Sequence, residues 1–327
     1  MGRKMEIKDL NLLVTGGAGF IGSHLVDELL KGGNRVIVYD NFDPFYVNKE
    51  ENVAHHFGEL NFTLVKADIL DSQALSSAMR NVDVVFHEAA QPGVRFSIQN
   101  PKKVYDVNVT GTLNVLKAAL DSQVKKVVFA SSSSVFGLPK YLPFDEKHPT
   151  NPNSPYAASK LADETLCRVF HEVYGLNVVV LRYFSVYGPR QRPDQVIRIF
   201  LSNVLAGKPV VIYGDGKQTR DFTYVDDVVR ANVSAAEVEE ANGITINIGS
   251  GKRISINNLL EKITRLSGKG ETTVVKKEKH AGDFPHTLAD IGFARKLLDY
   301  KPMVDLENGL VNFIDWYQGG LEASKKI

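Results

Sequence analysis

The chain has 327 residues, 43% of them hydrophobic and 24% charged, which is enough apolar material for two lobes around a sizeable core. Its 39 basic and 38 acidic side chains leave a formal charge of +1, so the overall balance makes no electrostatic case for nucleic acid or an anionic membrane surface. The single cysteine, Cys167, excludes an intramolecular disulfide framework, and no apolar run approaches the ~20 residues that cross a bilayer, so a cytoplasmic protein without a membrane partner is expected.

The first nine residues carry no long apolar stretch. Leu10, Leu12, Leu13 and Val14 then read as a buried strand, and Phe20, Ile21, Leu25, Leu29 and Leu30 open a helical pattern. Between them runs Thr15-Gly16-Gly17-Ala18-Gly19-Phe20-Ile21-Gly22. A strand, a glycine turn and a helix place the pyrophosphate of a dinucleotide against free backbone N–H groups at the helix N-terminus. Gly16 allows the tight turn, Gly19 lets backbone approach the phosphates, and Gly22 lets the helix pack closely on the strand. The spacing, G-x-x-G-x-x-G, matches the generic G-x-G-x-x-G fingerprint only loosely. The strand predicted over 35–40 supplies the missing element. It ends in Asp40, about 18 residues after Gly22, where a carboxylate accepts hydrogen bonds from an adenosine ribose. A negative charge there favours NAD over NADP.

Further strands are predicted over 62–67, 82–87, 126–130 and 178–183, with helices over 104–120 and 154–174. Alternating elements with near-continuous Val/Ile/Leu strands indicate a Rossmann-type α/β fold, a doubly wound parallel sheet covered by helices on both faces. Ligands then sit at the C-terminal strand ends, where Asp40, Asp68, Ala89, Ser131 and Phe184 fall. From about residue 185 the character changes. Gly188-Pro189-Arg190-Gln191-Arg192-Pro193-Asp194 is a loop of breakers and charges, followed by helices near 196–205 and 257–266 and short strands at 210–213 and 272–276. Segments 222–225 and 244–248 look buried enough to return to the main sheet or pack beside it. The expected division is an NAD-binding Rossmann domain over 1–184, completed by segments near 220–250, and a smaller interleaved α/β lobe, mainly substrate-binding, over 185–327.

Tyr156-Ala157-Ala158-Ser159-Lys160 opens the helix over 154–174, and positions four apart share a helix face. A free phenol titrates near pH 10; a neighbouring ammonium favours the phenolate and makes the tyrosine a usable base. The strand over 126–130 runs into Ser131-Ser132-Ser133-Ser134-Val135-Phe136-Gly137, delivering hydroxyls beside the expected nicotinamide position. Serines in a turn often cap local backbone only, and a lone Tyr–Lys pair usually marks a half-exposed face. Their order with the glycine turn favours a catalytic reading.

With these residues in view, the chain resembles the extended short-chain dehydrogenase/reductases that act on nucleotide sugars, over essentially its whole length. The motifs are Thr15 to Gly22, Asp68-Ile69, His87-Glu88-Ala89-Ala90, Ser131 to Gly137, Tyr156 to Lys160, and Tyr213-Gly214-Asp215-Gly216 through Arg220-Asp221-Phe222. The resemblance implies Tyr156 as base, Lys160 as its electrostatic partner and nicotinamide-ribose ligand, and Ser132 as the hydroxyl bridging Tyr156 to the sugar. Cofactor contacts are expected from Gly16, Gly19, Phe20, Ile21, Gly22, Asp40, Asn41, Asp68, Ile69, Ala89, Ala90 and Ser131, with Asp68 and Ile69 at the adenine. Tyr213 is expected against the nucleotide base, Arg220 at the diphosphate and Asp283 at the nucleotide ribose or phosphate. His280 stands where many relatives carry arginine, which leaves fewer fixed positive charges at the diphosphate. A homodimer through the helices over 104–120 and 154–174 is implied, and no metal ion is expected.

Sugar 4,6-dehydratases and nucleotide-glucuronate decarboxylases of this family follow their catalytic Ser/Thr with an acid, whereas this chain has Ser133 and Ser134 there. That points to 4-epimerisation of a UDP-sugar. The segments Asp40 to Tyr46, Ala89 to Arg95 and Arg182 to Asp194 look like those of UDP-glucuronate 4-epimerases. A uronate needs donors for its carboxylate, and Ser133, Ser134, Ser185 and Arg192 are the candidates, with Arg95 a further substrate contact. UDP-glucose or UDP-N-acetylglucosamine 4-epimerisation stays open as the alternative, as does a dehydratase or decarboxylase. A non-catalytic NAD-binding scaffold would be expected to lack Tyr156 or Lys160.

Overall fold

In the computed structural model, which describes residues 4–47, 49–278 and 284–324, the apolar residues of the first strand split between two faces. Leu12 and Val14 of β1 (Asn11–Thr15) join one buried cluster while Leu13 joins another, because successive side chains of a strand point to opposite sides. The same alternation repeats along β2 (Arg35–Asp40), β3 (Phe62–Lys66), β4 (Val84–His87), β5 (Lys126–Ser132) and β6 (Val178–Tyr183). A strand buried on both faces has no polar side, so the sheet needs a helical layer on each.

The helices α1 (Phe20–Lys31), α2 (Ser72–Ala78), α3 (Val94–Gln99), α4 (Pro101–Tyr105), α5 (Gly111–Asp121) and α6 (Pro155–Tyr174) come from the first half. After β6 follow β7 (Ser185–Tyr187), α7 (Val196–Leu205), β8 (Val210–Tyr213), β9 (Thr219–Arg220), β10 (Phe222–Tyr224) and α8 (Val225–Glu237). The chain ends with β11 (Thr245–Ile248), β12 (Ile254–Ser255), α9 (Ile256–Leu266), β13 (Val274–Lys277), α10 (Gly292–Leu298) and α11 (Leu306–Ser324). The main sheet has seven strands in the order β11-β6-β5-β4-β1-β2-β3, every pair parallel. Helices α1 and α8 pack together on one face, and α2, α5 and α6 cover the other. Among the described residues no helix is long and apolar enough to cross a membrane.

Strand order reverses direction between β1 and β4, and the crevice at that switch point is where such sheets bind ligands. The small pairs β10–β7, β12–β9 and β13–β8, with α7 and α9, build a second layer over it. Segment 244–248 supplies the edge strand β11, whereas 222–224 pairs with β7 outside the main sheet.

Two expected elements differ in detail. The helix over 104–120 begins at Pro101 and is widened by a π-helical turn, Asp106–Thr110, before α5. The buried Asn108 in that turn takes the Gln91 N–H at 2.7 Å and donates to Ser159 Oγ at 2.9 Å, so side-chain bonding replaces regular winding. Strand β5 runs two residues further than expected because Ser131 and Ser132 pair with Arg182 and Tyr183 of β6. Helices α2, α3, α8, α10 and α11 were not foreseen.

A buried ion pair holds α6 to the sheet. Arg182 of β6 donates to Glu164 of α6 through Nε at 2.9 Å and Nη2 at 2.7 Å, and Ser131 Oγ donates to the same carboxylate at 2.5 Å. The guanidinium also lies 4.8 Å from the Phe136 ring centroid. Both charged side chains are only 7% exposed, so removing one strands the other away from water. Arg182→Ala should therefore cost about 3–5 kcal/mol in urea unfolding. The double change Arg182→Met/Glu164→Gln should recover most of that loss; no recovery would mean that packing, not charge, accounts for it.

Candidate active site

A cleft of about 990 Å³ opens along the C-terminal ends of β1, β2, β4, β5 and β6, roofed by the second layer. On one side the glycine turn forms its wall. Gly16 has φ +66°, and a Cβ there would meet the Ala89 backbone at 2.8 Å, so only glycine lets β1 turn this close to β4. Gly19 is the N-cap of α1 and offers no capping side chain, so the first N–H groups of α1 face the cleft, with the Tyr46 hydroxyl reaching that of Phe20. Open N–H groups at a 12-residue helix fit the pyrophosphate of a dinucleotide.

Asp40 closes β2 with its carboxylate only 5% exposed, accepting from Ala18 N at 3.2 Å and Phe42 N at 2.8 Å. It thereby fixes the glycine turn as well as facing the cleft. Lys49 Nζ stands 3.7 Å from it, a residue that no motif singled out. The Asp40 charge expected to repel a 2′-phosphate is thus partly offset. Asn41, Ile69, Ala89 and Ala90 line the same end of the cleft. Asp68 does not: its carboxylate takes Asn41 Nδ2 at 2.8 Å and Leu70 N at 2.9 Å, so it acts on the cleft through Asn41.

Tyr156 and Lys160 line the floor from the first turns of α6. Ser154 caps that helix through Ala157 N at 3.1 Å, and the positive end of the helix dipole lies at Tyr156. Lys160 is 3% exposed, donates to the Ala130 carbonyl at 2.8 Å and lies 4.6 Å from the Phe129 ring centroid. That leaves two of its three N–H donors for groups in the cleft. The Asn108–Ser159 link noted above continues through Ser159 Oγ to the Tyr156 carbonyl at 2.8 Å, locking this turn of α6.

The serines divide. Ser131 and Ser132 line the cleft, but the Ser131 hydroxyl is committed to the buried Glu164. Ser132 caps the short 3-10 turn Ser133–Phe136, taking Ser134 N at 3.1 Å and meeting Ser134 Oγ at 2.8 Å. Ser133, Ser134 and Ser185 lie along the same wall. The two arginines there differ. Arg192 forms a two-pronged pair with Asp194 at 3.0 and 3.1 Å, whereas Arg95 stacks on Tyr213 with its guanidinium 4.6 Å from the ring centroid and has no carboxylate partner among the described residues. Arg220 lines the cleft and donates to the Thr219 carbonyl at 2.9 Å. Asp283 and His280 lie outside the described residues.

Titratable groups beneath the floor are unusual. His87 is fully buried between Thr15 and Thr112 hydroxyls, and burial pushes it down to about 3, so it stays neutral and structural. Burial pushes Glu88, which accepts from Tyr183 OH at 2.7 Å, up to about 7. Asp163 is fully buried with no hydrogen-bond partner on either oxygen, and burial raises it to about 8 against the pull of Lys160.

The model of the NAD dependent epimerase/dehydratase family matches residues 12–249. A UDP-glucuronate 4-epimerase of Thermodesulfobacterium geofontis is 40% identical over 329 residues, covering 96% of this chain and 98% of that protein. The crystal structure of a UDP-glucuronic acid 4-epimerase from Bacillus cereus, in complex with UDP-glucuronic acid and NAD, superposes with a TM-score of 0.90 at 37% identity, covering 95% of this chain and 99% of that one. A UDP-glucose 4-epimerase from Thermotoga maritima with UDP-glucose gives a TM-score of 0.89 at 36% identity, covering 95% and 100%.

Two outcomes test this site. Lys49→Ala should sharpen the preference for NAD over NADP by roughly tenfold, since about 1.4 kcal/mol of compensating attraction disappears; an unchanged ratio of dissociation constants would place Lys49 away from the ribose. Asp163 binds a proton more tightly folded than unfolded, so its contribution to stability is intact below about pH 4 and is lost as pH rises to about 8. Asp163→Asn should thus stabilise the protein by about 1–3 kcal/mol at pH 8.5 and hardly at all at pH 4.5, measured as unfolding free energy at both pH values.

Proposed function

Because the chain belongs to the NAD dependent epimerase/dehydratase family and is an NAD-dependent nucleotide-sugar 4-epimerase, we propose that its substrate is UDP-glucuronate, converted to UDP-galacturonate. The observation that carries this reading is the row of hydroxyls from Ser133, Ser134 and Ser185 lining the cleft with Arg192. A sugar carboxylate taken out of water needs such donors, and a guanidinium is the strongest of them.

NAD, when bound, supplies a hydride acceptor that returns the hydride to the same carbon. The protein's share is positional. Tyr156 takes the proton of the C4 hydroxyl and gives it back once the ketone has presented its other face. Lys160 and the N-terminus of α6 place positive charge beside it. Ser132 holds the C4 oxygen between Tyr156 and the sugar. Arg95, Tyr213 and Arg220 receive the nucleotide diphosphate and its base, with the unpaired guanidinium of Arg95 as the main anion receptor. A homodimer is part of the proposal: Tyr105 and Leu113 beside the π-helical turn and Val173 and Tyr174 at the end of α6 expose large apolar side chains where a second copy would pack.

One observation favours a neutral substrate, UDP-glucose, as the second reading. Asp194 already holds Arg192 at both prongs, so a uronate carboxylate must compete for it.

Product analysis by chromatography after separate incubation with UDP-glucuronate, UDP-glucose and UDP-N-acetylglucosamine decides between them. Conversion of the neutral sugars alone would remove the uronate reading. Tyr156→Phe should keep its NAD and lose about 10²–10⁴-fold in turnover; more than a tenth of the original rate would refute Tyr156 as base. Arg192→Ala should lower kcat/KM for UDP-glucuronate by about 2 kcal/mol, roughly 30-fold, and spare UDP-glucose. Asp194→Ala should act the opposite way and lower KM for the uronate; equal effects on acidic and neutral sugars would assign Arg192 to lobe closure.

A further inference from the structure

About two turns along α1 from the cleft-lining Phe20, three chelating side chains converge. Asp27 projects from α1, and His55 and His56 from the one-turn 3-10 helix Ala54–His56. Both imidazole Nε2 atoms point at one oxygen, Asp27 Oδ1, from 3.0 Å for His55 and 2.8 Å for His56, and the three donor atoms lie within 4.8 Å of one another. The two rings are 4.0 Å apart and tilted by 43°, so adjacent residues aim at a common point. We propose that Asp27, His55 and His56 form a binding site for a borderline divalent transition-metal ion of the Zn²⁺ class.

The geometry is near what such an ion requires. With Zn–N and Zn–O bonds of about 2.0–2.1 Å, ligand atoms at the corners of a tetrahedron stand about 3.3 Å apart. The observed N···O separations fall a few tenths of an ångström short, so replacing the two intervening protons by one cation needs only a small opening. Each ligand is also fixed from behind. His56 Nδ1 meets Glu59 Oε1 at 2.8 Å, a carboxylate-to-imidazole link that orients the ring and makes its other nitrogen a better donor. Arg190 Nη1 holds the second oxygen of Asp27 at 2.8 Å, so the carboxylate presents Oδ1 alone. Arg190 itself sits in the left-handed region at φ 62°, a conformation a non-glycine residue adopts only where its surroundings hold it.

Two imidazoles and one carboxylate oxygen suit Zn²⁺, Co²⁺ or Ni²⁺ and not Mg²⁺ or Ca²⁺, which take oxygen ligands. With neutral histidines, Asp27 and Glu59 against Arg190 leave one net negative charge at the site, opposite in sign to the cation. His55 is 47% exposed, so solvent reaches the fourth coordination position. A bound ion ties the 54–59 segment to α1. Through Asp27 and Arg190 it also braces the loop that carries Arg192.

The test uses the untagged protein with its cofactor in place, stripped with chelator, dialysed and titrated with Co²⁺. Saturation at one ion per chain, visible absorption bands of tetrahedral strength and displacement by Zn²⁺ are expected. His55→Ala removes an exposed ligand and should retain the NAD content while weakening Co²⁺ binding at least tenfold. Glu59→Gln should weaken it about 10-fold through the ring it orients. Absence of saturable binding overturns the proposal. So does binding of equal strength in His55→Ala, which places the ion elsewhere. In either case the cluster is a hydrogen-bonded network in which His56 bridges Asp27 and Glu59.

Discussion

The approach of Gly16 to the Ala89 backbone is the contact on which the rest of the cleft depends. A Cβ at residue 16 would lie 2.8 Å from both Ala89 N and Cα, which are main-chain atoms with nowhere to go. That proximity brings the end of β1 against the end of β4 at the point where strand order reverses, and it aims the start of α1 into the crevice. Asp40 then serves two purposes with one carboxylate, holding Ala18 of the turn and lining the cleft. Turn geometry and cleft wall are therefore a single construction.

Helix α6 divides its duties along its length. In its first turns Tyr156 and Lys160 line the cleft, while Asp163, Glu164 and Cys167 further along the same side, with Ser159, are buried. The buried side is polar where a helix against a sheet is ordinarily apolar, and each polar group has a different fate. Ser159 joins Asn108 to the Tyr156 carbonyl, Glu164 is neutralised by Arg182, and Asp163 is left without a hydrogen bond. Such an arrangement trades stability for precise placement of the Tyr–Lys pair, since groups locked by buried bonds do not wander on the scale that matters for proton transfer.

Charge in the cleft is mostly paired before any ligand arrives. Lys49 faces Asp40, and Arg192 grips Asp194, while Arg95 stacks on an aromatic ring. Ligand anions thus compete with carboxylates at some positions and meet an uncommitted cation at another. Discrimination among sugar nucleotides then rests on the difference between those two kinds of encounter, not on a count of arginines. Outside the cleft the same economy recurs at Asp27, one carboxylate shared among two imidazoles and a guanidinium.

Much of this was legible in the residues alone. The period-2 and period-3.6 patterns located six strands of the main sheet and the helices α1, α6, α7 and α9 within a few residues, because burial on both faces of a parallel sheet imposes a near-continuous apolar signal. The glycine spacing, Asp40 and the Tyr156–Lys160 pair carry their chemistry in local spacing, and all of them line one cleft. Helices α2, α3, α8, α10 and α11 escaped, although α11 buries Leu310, Phe313 and Ile314 at helical spacing, because no strong local start or stop signal framed them. Tertiary structure alone decided that Asp68 turns to Asn41, that the Ser131 hydroxyl belongs to Glu164, that Lys49 shadows Asp40 and that Arg192 is already paired. It also brought His55 and His56 to Asp27, 28 residues and one strand away. Sequence determines which groups are available and which local shape they adopt; which charge meets which is settled only when separate elements pack, because a Coulombic or hydrogen-bonded partner is defined by ångströms of space and not by position along the chain.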